Sequence, residues 1–483
     1  MEMEFALHPD DSARLPRSKL FGLPRPAWSR PRLVRLAWHD TPDRDLRADG
    51  LALEERRGAW RLERLTPGDG AWLPAQSAPV IAEARLLPDL AYPLPESLAP
   101  IAVFEGRLGT AIVNTTAGPV TLRLLRGTVG EIPVSRLTLD GPDAAVRHLA
   151  LTLAEAISLT VPRASLAAEA IAIMEGKPPR ARCLGAPRPT EEPSVTAAFA
   201  HVLGHLTDVI VYYAPLAAEG GPDTEPVHQM RVAVRRARSA IAVFRHGLAC
   251  PDFAAADRNL KALGAVLGPT RDWDVFVTET LPKVAAALPD DAGLRRLTKA
   301  AQDQRETCHA ALRTWLAAPA FRQLGIALAW LSTSQSWHDT LGPDERTACA
   351  MPPADFAAIV LQRRWKKVLS AGKDIAALDV PALHDLRLRA KRARYAMEIF
   401  QSAAHAKPAQ RLIRRLSKLQ EQLGILNDGA VADDLLMQLG GARSRHGYAV
   451  GLVLGFLAAS SADMRPRVRR AWEKFHRTPR FWG

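Results

Sequence analysis

A chain of 483 residues, 47% hydrophobic and 24% charged, is long enough for two or three separate cores, and its composition excludes a wholly disordered or low-complexity polypeptide. Its formal net charge of +13 is confined to one half: residues 1–192 hold 24 basic against 24 acidic side chains, and residues 193–483 hold 40 against 27. Cys183, Cys250, Cys308 and Cys349 are scattered without a Cys-x-x-Cys pair, which argues against a zinc site or a disulfide framework and for a reducing, cytoplasmic setting. The N-terminus begins with Glu2 and Glu4 and lacks a basic-then-apolar signal pattern. The apolar run Tyr448–Ala459 is too short to span a bilayer, so no membrane partner is expected.

In chain order, the first 171 residues read as short alternating strands: 33–38, 51–56, 59–64, 120–125 and 134–139, punctuated by Gly50, Gly58, Gly68, Gly70 and Gly130. An amphipathic helix over 142–160 follows. The pattern predicts an α+β domain built on an antiparallel sheet or barrel with flanking helices. Glu2-Met-Glu4-Phe-Ala6, His39-Asp-Thr-Pro-Asp43, Leu46-Arg47 and Gly50-Leu-Ala-Leu53 resemble the opening strands of the CYTH family, which includes inorganic triphosphatases. The resemblance implies a closed antiparallel β-tunnel in which carboxylates hold a divalent metal and Lys or Arg residues hold the triphosphate. This chain departs from the pattern: Ala6 stands where the motif has Lys, Glu54 where a basic residue is usual, and Arg136 and Thr138 where carboxylates alternate. Metal-assisted phosphoryl hydrolysis needs both charge sets, so a degenerate, non-catalytic domain is expected. Glu2 and Glu4 are the only metal-ligand candidates, and they read rather as the polar face of a first strand, so no metal site is expected. No cofactor is expected, and a divalent metal only if this domain is active.

Residues 172–192 are rich in Pro and Gly, lack periodicity and read as a linker. From 193 to 483 Ala-rich helical patterns dominate. Breaks at Pro215–Pro226, Pro251, Gly268-Pro269, Pro282–Pro289, Pro343–Pro353, Pro381 and Gly440-Gly441 divide them into about eight helices, four per repeat. In 227–244 the apolar positions Val227, Met230, Val234, Ala237, Ile241 and Phe244 form one stripe. Beside it, about 100° round the helix, run His228, Arg231, Arg235 and Arg238. The stretch 383–400 repeats this with a shift of 156 residues, mapping those four onto His384, Arg387, Lys391 and Arg394 and Phe244 onto Phe400. The same shift aligns Leu267-Gly268 and Asp272 with Leu423-Gly424 and Asp428, and Arg258 with Arg414. Duplication predicts a pseudo-two-fold unit in which two basic helices face one groove.

The paired His-x-x-Arg-x-x-x-Arg/Lys-Arg-x-Arg helices, with the Leu-Gly-x-x-x-Asp segments after them, resemble the CHAD family, the conserved histidine α-helical domain. The likeness spans 193–483. It implies two four-helix bundles related by an internal two-fold axis, with a basic central surface that binds inorganic polyphosphate and no catalysis.

Like charges on one helix face repel, and Arg offers a planar fork to phosphate, so the stripes read as rows of phosphate clamps. The expected polyphosphate ligands are His228, Arg231, Arg235, Arg238 and Arg258, with His384, Arg387, Lys391, Arg394 and Arg414. Recurrence beside Arg at i+3 favours a ligand role for both histidines over satisfaction of helix-end backbone groups. Arg236, Arg392 and Arg389 point elsewhere on their helices, and Lys261 and Lys418 occur in one copy each. Asp272 and Asp428 read as N-caps or as holders of a nearby Arg. The aromatics of 469–482 read as packing onto the bundle. The expected function is binding of inorganic polyphosphate, with recruitment to polyphosphate granules. The alternatives are an inorganic triphosphatase, or a protein meeting nucleic acid non-specifically; the stripe lacks the interleaved aromatics and Asn/Gln of base readers.

Overall fold

The computed structural model describes the chain except residues 18–25, 66–69, 74–76, 80–85, 88–89, 94–96, 188–191, 246–249, 335, 402–405, 462–463 and 483. The chain forms two compact units. One comprises Met1–Leu184, Leu203–Pro215 and Leu316–Thr340, and the other Gly185–Val202, Leu216–Trp315 and Leu341–Gly483.

The first unit holds strands β1 (Glu2–Leu7), β2 (Arg32–Asp40), β3 (Leu51–Arg56), β4 (Ala59–Arg64), β5 (Ser77–Pro79), β6 (Leu86–Leu87), β7 (Leu90–Pro93), β8 (Ala99–Thr115), β9 (Gly118–Val129), β10 (Ile132–Asp140) and β11 (Leu159–Thr160). It also holds helices α1 (Pro9–Arg14), α2 (Asp45–Ala48), α3 (Asp143–Ala156) and α4 (Leu166–Met174). Nine strands form one antiparallel sheet in the order β11-β1-β10-β9-β8-β2-β3-β4-β5, so the expected α+β fold is observed. Among the described residues the end strands β11 and β5 do not pair. The 17-residue β8, whose glycines interrupt its alternation, is absent from the strands read in sequence. Gly106 there lies opposite Gly127 of β9, and a Cβ on either would sit within 2.3 Å of the facing backbone oxygen. Only glycine permits that approach.

Strand alternation sends Met3, Phe5 and Leu7 to one face of the sheet, where Val120, Leu122, Leu124, Leu137 and Leu139 join them under α3. The opposite face carries Val34, Leu36, Trp38, Ala52 and Phe104, and α4 lays Ala167, Ala170 and Ile171 onto it. This second face also carries Glu4 and, across the order on β4, Glu63. Their charges act on one another, which requires the sheet to curl round α4.

The next helices are α5 (Val195–Glu219), α6 (Glu225–Phe244), α7 (Pro251–Val275), α8 (Leu281–Ala287), α9 (Ala292–Ala317), α10 (Pro319–Thr333), α11 (Pro343–Ala350), α12 (Pro353–Ala371), α13 (Val380–Phe400), α14 (Ala406–Gln438), α15 (Gly447–Ser461) and α16 (Met464–His476). Thus the expected all-α C-terminal part is observed. The 156-residue shift relates α5 to α12, α6 to α13, α7 to α14, and α9 to the α15–α16 pair. The break expected at Gly268-Pro269 does not occur: α7 continues through Pro269 and passes into a π-helical turn at Phe276–Thr280. One missing N–H costs a single hydrogen bond, and Leu260, Leu263, Leu267 and Trp273 of α7 are fully buried, so packing holds the helix together. α5 is long and apolar enough to cross a bilayer by length and composition, although 67% of its most apolar window is buried within the protein.

Phe244 and its repeat partner Phe400 meet with ring centroids 5.8 Å apart, and Phe356 of α12 lies against both. The duplicated helices therefore touch through equivalent residues, as a local two-fold axis requires. Trp472, Phe475 and Trp482 are buried, with the rings of Phe475 and Trp482 near Trp365 of α12.

Candidate functional site

The apolar stripes of α6 and α13 are buried: Val227, Met230, Val234, Ala237 and Ile241 on one, Leu383, Leu386, Ala390, Ala393 and Met397 on the other. That fixes the rotation of both helices and leaves their basic stripes half-buried, except that His384 is exposed. Pro226 and Pro381 sit in the first turns, and Asp379 caps α13 by accepting from the Ala382 N–H at 2.8 Å.

The centre of the arrangement is Lys391. Burial, followed by the charges of Arg235, Arg387, Arg231 and Arg394, pushes its ammonium down to about 7. α6 and α13 thus bring five of the ten expected ligands into one electrostatic cluster. Burial also lowers Arg235, with Arg231 and Arg394 adding to the shift. The Arg235 and Arg394 guanidiniums lie 5.4 and 5.1 Å from the centroid of the Tyr395 ring. His228 is half-buried and driven below its ordinary range, first by burial and then by Arg271, with Arg235 and Arg231 also contributing against Glu225. Arg258 and Arg414 are exposed, and among the described residues no contact joins them to this cluster.

Three of the cations are held by carboxylates. Arg231 donates to Asp272 at 2.7 Å, Arg238 to Asp257 at 2.8 Å, and Arg394 lies 3.4 Å from Glu398. Asp272 lies near the C-terminal end of α7, so the N-cap reading fails and the holding of a nearby Arg is what the geometry provides. The side chain of Asp428 lies outside the described residues. Arg236 also departs from expectation: it reaches across to Glu398 at 3.2 Å and lies 6.0 Å from the Tyr395 ring, so it belongs to the helix interface. Arg389 pairs with Asp385 on its own helix at 2.7 Å.

Sequence reasoning missed Tyr395, Glu398 and Arg271. Tyr395 occupies the position of Ser239 in the other copy, so a search for matching residues passes over it. Arg271 donates to Thr224 at 3.0 Å and faces His228; its counterpart is Asn427, again a mismatch.

Further along α7, Asp274 is fully buried and accepts from Arg305 Nε at 2.6 Å, with His309 Nε2 at 2.8 Å. Burial raises its carboxyl, and the two hydrogen bonds outweigh this and bring it below the ordinary range. Arg305 also donates to the Gly221 carbonyl at 3.0 Å, tying the loop before α6 to α9.

In the first unit, the metal-ligand candidates are tied up by the protein's own cations. Glu2 pairs with Arg123, and Glu4 lies 3.1 Å from Arg136, which also binds Glu169 of α4 at 2.5 Å. Glu63 is buried with Oε1 unpaired, and burial, with Glu54 and Glu4 adding to it, raises its carboxyl to about 7.

The profile of the CHAD domain matches residues 201–437. Among solved structures, the CHAD domain from the plant Ricinus communis is 29% identical, with 62% of this chain and 98% of that chain covered and a TM-score of 0.53. PptA from Streptomyces chartreusis is 16% identical, with 58% and 99% covered and a TM-score of 0.46. A putative adenylate cyclase from Bacillus halodurans is 16% identical, with 32% and 84% covered and a TM-score of 0.20. No curated protein matches.

Proposed function

From the premise that this chain contains a CHAD domain at residues 201–437, we propose that it binds inorganic polyphosphate in the groove between α6 and α13. The observation that carries the reading is the convergence of the two duplicated helices, where Arg235 of α6 and Arg394 of α13 lie 5.4 and 5.1 Å from the same Tyr395 ring, and where none of Arg235, Arg387 and Lys391 has a carboxylate partner among the described residues. Such a cluster is costly in the free protein and is relieved by a dense, flexible chain of oxyanions. Arg forks grip successive phosphates, and displaced counterions supply the entropy. Three carboxylates that hold Arg231, Arg238 and Arg394 keep the cations in position and compete with the ligand, which favours a chain of high charge density over a single phosphate.

The first unit is read as a CYTH-like domain without hydrolytic activity. Arg136 is salt-bridged between Glu4 and Glu169, and α4 packs an apolar surface against the same face. Purified protein should release no phosphate from tripolyphosphate with magnesium or manganese. Release at enzymatic rates would establish the triphosphatase alternative. A cytoplasmic location and gathering on polyphosphate granules follow as proposals from the ligand.

The test is titration with long-chain polyphosphate against RNA and double-stranded DNA competitors. A variant with His228, Arg231, His384 and Arg387 all changed to Ala is run alongside. Binding that nucleic acid does not displace and the variant lacks supports the reading. Equal binding of all three polymers, untouched by the substitutions, would make the basic surface generic.

A further inference from the structure

We propose that the polyphosphate path continues beyond the groove, past the first turn of α13 and onto the exposed face of α16, so that one long chain is held by two basic surfaces in series. The inference rests on the polyphosphate reading and extends its binding surface. α16 buries Met464, Val468, Ala471, Trp472 and Phe475 and turns Arg465, Arg467, Arg469, Arg470 and Lys474 to solvent. Glu473 is the one acid between residues 464 and 480, and Arg469 holds it at 3.1 Å. Among the described residues no carboxylate is bonded to Arg467, Arg470 or Lys474. These three lie at i, i+3 and i+7, which makes one stripe of like charge.

The duplication indicates that the fold does not require this stripe. A shift of 156 residues lays Val468 and Trp472 on Leu312 and Leu316 of α9, and all four are buried. The same shift lays Arg467, Arg470 and Lys474 on Ala311, Thr314 and Ala318. Packing thus demands the apolar positions in both copies, while the cations occur in one. Their mutual repulsion costs stability in the free protein and is relieved by a bound polyanion.

Between α16 and the entry to α13 lies a hollow of about 350 Å³, with apolar walls from Ile375, Leu383 and Val468 and with Arg465, Arg469 and Arg470 also lining it. Arg465 donates to the Leu378 carbonyl at 3.1 Å, which ties α16 to the segment ahead of α13. Apolar walls beside cations keep the local dielectric low and focus the field on an approaching anion. Leu383 is followed directly by His384, the exposed first member of the α13 basic stripe, so the hollow adjoins one end of the groove. A chain leaving the groove there meets these arginines, and its second segment binds at the effective concentration that the first one sets.

Two measurements on the full chain test the extension. Arg467→Ala, Arg470→Thr and Lys474→Ala, made together, give α16 the residues that α9 carries at those positions. Affinity for long-chain polyphosphate in about 100 mM salt should fall about 100-fold, the contribution of roughly two counterions released by three cations. Affinity for a chain of about five phosphates, matched to the roughly 15 Å of α6 from His228 to Arg238, should stay as it is. Phenylglyoxal labelling of the wild type, read by peptide mass spectrometry, should show Arg467 and Arg470 protected by the long chain and open to reagent with the short one. Unchanged long-chain affinity, equal losses for the two lengths, or labelling that the long chain does not alter overturns the extension and leaves groove binding intact. A variant that loses single-stranded RNA and keeps long-chain polyphosphate overturns it in favour of nucleic acid. Failure of the wild type to bind either chain removes the proposed function and the extension with it.

Discussion

Replacing Arg235 and Arg387 together by Ala changes the salt dependence of polyphosphate binding by an amount set by the structure. Arg235, Arg387 and Lys391 have no carboxylate partner among the described residues, whereas Arg231, Arg238 and Arg394 each have one. An entering polyanion thus neutralises between three and six charges, depending on how far it displaces Asp272, Asp257 and Glu398. A flexible single strand releases about 0.7 counterion per charge neutralised, so the slope of log affinity against log salt should lie between about −2 and −4. Between 50 and 200 mM salt, affinity should fall roughly 20- to 300-fold. The double substitution removes two of the unpartnered cations and should flatten the slope by about 1.4. Asp272→Ala frees Arg231 and should steepen it by about 0.7. Fluorescence anisotropy with end-labelled polyphosphate at pH 6.5, where Lys391 is largely charged, gives each slope directly. A slope shallower than about −1, or one that the double substitution leaves unchanged, would refute placement of the ligand in this groove.

Other expected outcomes concern stability. Asp274→Asn removes the counter-charge from the buried Arg305 and should cost about 3–5 kcal/mol in urea unfolding, whereas Asp257→Asn breaks a half-exposed pair and should cost at most about 1 kcal/mol. Comparable losses would contradict the assignment of burial. Because the folded Asp274 carboxyl sits below its ordinary 3.8, its contribution is present above that value and drains away as the pH falls through the lower folded one; acid unfolding of wild type and Asp274→Asn should converge there. Glu63 has the opposite sign. Its folded carboxyl lies at about 7 against an ordinary 4.5, so its cost grows between those pH values and is complete above them. Glu63→Gln should therefore raise stability by about 1–3 kcal/mol at pH 8 and by nothing below pH 4.5, as thermal melts at the two pH values would record.

Local patterns along the chain determined a good deal. The period-three-and-four stripes of 227–244 and 383–400 specify two amphipathic helices, because an apolar face of that width has to be buried. Their recurrence at one shift of 156 residues, with the breaks between them, specifies a duplicated unit of four helices per copy, and the same shift relates α5, α6, α7 and α9 to α12, α13, α14 and the α15–α16 pair. Strands β3 and β4 carry the boundaries read from their alternation. Other features were settled by tertiary packing. Pro269 reads locally as a helix end, yet the fully buried Leu260, Leu263, Leu267 and Trp273 keep α7 intact across it. The long β8 was hidden because Gly106, a breaker in isolation, is what lets β9 approach.

The site divides in the same way. Which helix face is basic follows from residue spacing, a property of one helix. Which of those cations meet depends on how two helices cross, and that brings Lys391 beside Arg235 and leaves Arg258 and Arg414 exposed outside the cluster. Tyr395, Glu398 and Arg271 entered only with the structure, since each differs from its repeat counterpart and acts across distances that the spacing of one segment does not encode.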